Sequence, residues 1–267
     1  MKKKKLMIIP FVLGIVLIVL GLVINNKSTD DGKINHKDEF TVIESNYLEK
    51  NYERYMAYKR HNRDYSDDQV ITYVNIGLDK KEYTESEVAN KDDGLLMLVN
   101  KHYSIDKDYV PKTVSVGPLN ALLQEDAAKD FNKMVEASKP YGINIFPLKG
   151  YTSYDEQDSL YSIVADEQGK SVAEKNYAQA GYSEYQTGLA VSISGNNENF
   201  RYTKEYAWLL NHSYEYGFIL RFPEGKENIT GFSFEPWHFR YVGKDVAKEI
   251  HDKNITLEEY YSRYIMK

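Results

Sequence analysis

The sequence predicts an α+β fold for most of a 267-residue chain. Three observations carry that expectation. Several segments place apolar residues at helical spacing. Short apolar runs of strand length lie between them. The two kinds do not alternate regularly, as they would around a doubly wound parallel sheet.

Taken in order, residues 1–5 are cytoplasmic and include a run of four lysines, Lys2, Lys3, Lys4 and Lys5. Residues 6–24 follow without a charge. Nineteen residues at about 1.5 Å each span roughly the 30 Å hydrocarbon core of a bilayer. Lysines stay on the cytoplasmic side, so this transmembrane anchor sends the rest of the chain outward, to the extracellular face of the cell membrane. A cleaved signal peptide would have an apolar region of roughly 7–15 residues ending in a small-x-small site. Here the stretch is longer, and Leu22-Val23-Ile24-Asn25 offers no such site.

The chain has no cysteine, which excludes disulfides and lipid attachment to a thiol. Outside the four lysines, 30 basic residues face 40 acidic ones, a formal charge of −10. That balance excludes nucleic acid as a partner.

Residues 25–40 are polar and read as a tether. Residues 41–93 form a small helical lead-in. There Leu48, Tyr52, Tyr55 and Met56 make one apolar stripe, and Ser66 with Gln69 has the form of a capping box. Residues 94–267 are the main domain. Residues 95–99 have strand length. Leu123, Ala127, Phe131, Met134 and Val135 describe a helix, closed by Pro140 and Gly142. Residues 143–148 read as a strand, and a helix follows Tyr154. Residues 189–193 are a strand, and residues 202–214 a helix with Tyr206, Leu209 and Leu210 inward. Residues 217–221 and 237–242 complete the strand set.

Two segments carry the specific signal: Ser183-Glu184-Tyr185-Gln186-Thr187-Gly188-Leu189-Ala190-Val191-Ser192-Ile193 and Glu235-Pro236-Trp237-His238. Together with Gly150-Tyr151-Thr152-Ser153 and Gln157, they resemble the VanY-type D-alanyl-D-alanine carboxypeptidases, zinc peptidases of the bacterial cell wall. In that family the motifs read S-x-H-x-x-G-x-A-x-D, E-x-W-H and G-Y-R-S-x-x-x-Q. The resemblance covers roughly residues 95–245 in the family's order. It implies a hedgehog/D-Ala-D-Ala-peptidase-like fold with a small antiparallel-rich sheet flanked by helices. The partner it implies is a peptidoglycan stem peptide, with an envelope protein as the other candidate.

It also implies a zinc site of His, Asp and His with a catalytic Glu. Position by position, the first His is Tyr185 and the Asp is Ser192. His238 remains as a vestigial ligand and Glu235 as a vestigial general base. A phenol with an ordinary pKa of about 10 is a poor zinc ligand near neutrality, and Ser192 brings no charge. The expectation is therefore no bound cofactor, with zinc only if the family function survives. Ser153, Gln157, Ser183 and Trp237 fall on the peptide-binding side. Thr152 stands where the family has an arginine suited to holding negative charge.

Each residue also has a plainer reading. Glu235 and His238 can be a buried polar pair, Ser153 a helix cap, and Gly150 and Gly188 turn residues. His36, His61, His102, His212 and His251 show no metal-ligand spacing. Three functions follow: a binding pseudoenzyme, an active metallo-carboxypeptidase with an altered site drawing on Tyr185, Glu184 or Asp155, and an interaction module with an empty cleft. Glu184, next to Tyr185, would need a bulge to face inward if that stretch were extended.

Overall fold

The computed structural model describes residues 36–193 and 197–267. The anchor at residues 6–24 lies outside the described residues. Among the described residues, no helix is long and apolar enough to cross a membrane. Residues Glu39–Lys267 form one compact unit, into which the helical lead-in is built.

The lead-in contains α1 (Tyr52–His61) and α2 (Asp67–Asn75). Leu48 precedes α1 and caps a 3-10 turn (Glu49–Asn51), so the helical stripe starts one turn later than its spacing suggests. The predicted capping box is present: the Gln69 N–H donates to Ser66 Oγ at 3.2 Å, and the Ser66 N–H donates to Gln69 Oε1 at 2.9 Å. A parallel pair, β1 (Glu87–Val88) and β2 (Tyr103–Ser104), follows.

Residues 95–99 are not a strand. They leave a 3-10 turn (Lys91–Leu96), and the carbonyls of Leu95 and Met97 accept from the Arg240 guanidinium instead of a neighbouring strand. Next come a hairpin, β3 (Thr113–Val116) with β4 (Ala121–Gln124), and helix α3 (Glu125–Ser138). Leu123 therefore belongs to a strand, while Ala127, Phe131 and Met134 are the buried face of the helix.

The central sheet has four antiparallel strands: β5 (Pro147–Lys149), β6 (Ala190–Ile193), β8 (His238–Tyr241) and β7 (Phe218–Leu220), in that order. Strand β5 is shorter than residues 143–148 suggest. Pro147 has no N–H for a ladder, and the register shifts between Pro147 and Lys149. Side chains alternate across the sheet. Val191, Ile193, Phe218, Phe239 and Tyr241 join Ala127, Phe131 and Met134 of α3 in the main core. Burying each large apolar side chain contributes roughly 1.5–3 kcal/mol.

Behind the sheet, Ile219 and Val242 join a second cluster with Met97, Leu98 and two C-terminal helices, α8 (Lys244–Lys253) and α9 (Leu257–Tyr264). Helices α4 (Tyr154–Gln168), α5 (Lys170–Asn176), α6 (Lys204–His212) and the short α7 (Glu227–Thr230) complete the set. In α6, Trp208 and Leu209 point inward, whereas Leu210 is partly exposed, contrary to its predicted orientation.

Candidate functional site

The sheet register builds the site. Lys149 pairs with Ser192 across β5 and β6, and Ser192 pairs with His238 across β6 and β8. Residues directly opposite share a face, so these three side chains form one row across the sheet. The row faces a cleft of about 580 Å³ lined also by Gln157, Ser183, Glu184, Tyr185, Glu235 and Trp237.

Tyr185 reaches the row from a 3-10 turn (Glu184–Thr187) that closes on Gly188 with φ +69°. This left-handed geometry is natural to glycine. It folds the phenol back over β6. Tyr185 Oη and Ser192 Oγ are hydrogen-bonded at 2.5 Å, and the Tyr185 ring lies 4.8 Å from the His238 ring at 31°. The Lys149 ammonium sits 4.4 Å from the centre of the same ring. On the other side of His238, its Nδ1 is 2.8 Å from Glu235 Oε2, while its Nε2 is 3.8 Å from Glu184 Oε2. Tyr185, Ser192, Glu235 and His238 therefore meet at one point.

The electrostatics keep this cluster neutral at Tyr185. Burial pushes the phenol far above its ordinary pKa, and the charge of Glu235 adds to the rise. A tyrosinate is thereby disfavoured. Glu184, almost fully buried, is shifted the other way. Burial raises its pKa, but the Arg221 and Arg240 guanidinium groups outweigh that and hold it below the usual glutamate range. Burial lowers the pKa of Lys149.

These residues do not fit a catalytic zinc. Such a site takes three protein ligands from thiolate, imidazole and carboxylate donors. Of the three positions that the resemblance assigns to ligands, two hold a neutral phenol and a hydroxyl bonded to each other, and the phenol ring packs against the imidazole of His238. Among the described residues, no three His, Cys, Asp or Glu side chains converge as a metal-holding group.

The other sequence candidates divide. Gln157 and Ser183 are buried and line the cleft; Gln157 Nε2 donates to the Ala178 carbonyl at 2.8 Å. Trp237 lines the cleft and also packs on the main core. Ser153 is the cap of α4 in a second capping box with Glu156 and is not among the cleft-lining residues. Asp155 points away and pairs with Lys107 at the surface. Thr152 is buried, its hydroxyl directed to the Gly150 carbonyl, so no cation stands at that position.

One participant, Lys149, was not singled out from the sequence, and another, Glu184, was considered only as a donor for an altered metal site. Lys149 carries no motif signal. Glu184 needs no bulge, because its stretch is a 3-10 turn and not a strand. The signal for its actual role was indirect: Arg221 directly follows the apolar strand β7, Arg240 lies within β8, and buried guanidinium groups demand an acid.

Residues 120–244 match the family model described as VanY, D-alanyl-D-alanine carboxypeptidase. A presumed carboxypeptidase of Bacillus subtilis (strain 168), YodJ, is 36% identical over 200 residues, covering 69% of this chain and 73% of that protein. Among solved structures, the LdcB LD-carboxypeptidase, described for its peptidoglycan recognition, matches with a TM-score of 0.63 and 35% identity over 68% of this chain and 92% of the other. A mutant of the vancomycin-resistance D,D-pentapeptidase VanY in complex with Zn(II) matches with a TM-score of 0.56 and 32% identity, covering 62% and 97%.

Proposed function

Because the chain belongs to the VanY family of D-alanyl-D-alanine carboxypeptidases, we propose that it binds a peptidoglycan stem peptide without hydrolysing it, from the outer face of the cell membrane. The observation that carries this reading is the Tyr185–Ser192 hydrogen bond, with the phenol laid over His238. It commits to each other the two side chains that stand beside the His238 imidazole, leaving that imidazole without a second strong donor from them. The rest of the cleft remains open and lined by polar groups suited to a peptide backbone, Gln157 and Ser183 among them. Glu235 is engaged with His238, which favours a positioning role over proton transfer.

The test uses a stem pentapeptide ending in D-Ala-D-Ala, offered to the protein with zinc, manganese or iron. The expected result is saturable binding by calorimetry with no release of D-alanine under any metal. Release above the metal-free control would overturn the non-hydrolytic part. Absence of binding would overturn the reading as a whole in favour of an interaction module.

A further inference from the structure

We propose that Lys149 holds the free C-terminal carboxylate of the bound peptide, an inference that rests on the peptide-binding reading above. Lys149 is the end of the row it forms with Ser192 and His238, so its side chain shares the sheet face that floors the cleft. Its ammonium lies against the Tyr185 ring, and no hydrogen bond or ion pair to it is found among the described residues. A largely buried cation without an acid partner is costly unless something brings the counter-charge.

The nearby acids are already engaged. Glu184 accepts from Arg221 and Arg240, Glu235 contacts His238, and Glu156 accepts from Ser153. Glu198 lines the cleft as an exposed side chain. The cation is therefore left for a ligand, and the aromatic ring beneath it fixes the direction of approach.

Position strengthens the case. Thr152, three residues on, carries no charge, and its hydroxyl is turned into the backbone at Gly150. Among the described residues lining the cleft, Lys149 is the one lysine or arginine. A peptide carboxylate placed beside it would lie over Tyr185, with the preceding residues running toward Gln157 and Ser183. Carboxylates of acidic side chains share this chemistry, so the ligand's terminus has to be varied by itself.

The experiment measures binding of two probes to the detergent-solubilised full chain: the stem pentapeptide as free acid and as its C-terminal amide. The expected outcome is at least tenfold tighter binding of the acid. Lys149→Met should bring the two affinities together, and Lys149→Arg should keep most of the preference. If the parent binds acid and amide equally, or if Lys149→Met retains the preference, the inference fails while the binding reading stands. If the parent binds neither probe, both fail. The comparison on the parent protein needs no variant, so a folding defect in Lys149→Met cannot mask the answer.

Discussion

Tyr185 combines three properties that a metal ligand should not have: it is buried, its hydroxyl is committed to Ser192, and burial with Glu235 nearby holds it protonated. Each follows from side-chain identity, since the backbone around it is a tight turn closed by Gly188. Restoring the donors should therefore restore the metal. Tyr185→His with Ser192→Asp places two imidazoles and a carboxylate at one point, and about one zinc per chain is expected by metal analysis after dialysis. The parent should retain none. If the double variant also stays metal-free, the positional correspondence behind Tyr185 and Ser192 is wrong. These four cluster residues were legible in the sequence because their spacing is a local motif. Lys149 was not, since its place depends on a register between β5 and β6 that no local pattern encodes.

Elements were legible where a side chain directs the backbone locally. Ser66 and Ser153 start α2 and α4 by reciprocal capping, and alternate apolar residues mark β6 and β8. Legibility ended where the backbone answers to a distant partner, as at residues 95–99, whose carbonyls serve Arg240. Gly150 shows the same limit. It is needed not for a turn but for contact: a Cβ there would stand 2.2 Å from the Leu122 carbonyl oxygen of β4. The neighbouring Tyr151 N–H donates to that oxygen at 2.7 Å, so the hairpin and β5 cannot easily separate. Overpacking of this kind costs about 1–3 kcal/mol or more. Gly150→Ala should lower the midpoint of urea unfolding accordingly. An unchanged midpoint would mean that the seam between β4 and β5 is looser than its geometry implies.

At the scale of the whole molecule, one buried charge network ties the cleft to the C-terminus. Arg221 donates to Glu184 at 2.7 Å and to both oxygens of Glu258 on α9, while Arg240 donates to Glu184 at 2.8 Å. All four side chains are at most 2% exposed. Two positive and two negative groups balance, so the network is tolerable only while complete. Glu184→Gln removes one charge and leaves the two guanidinium groups short of an anion; breaking a buried pair this way costs about 3–5 kcal/mol. The same residue sets a pH dependence. Its folded pKa is depressed, so the unfolded chain binds more protons over the interval between the two pKa values. Its contribution is thus complete above the ordinary glutamate range and is lost as pH falls through the folded value. Unfolding measured from neutral to acidic pH should show the parent losing stability more steeply than Glu184→Gln, with the two curves converging at the acid end. Parallel curves would show that Glu184 holds the cleft in place without being the ionised centre of the network.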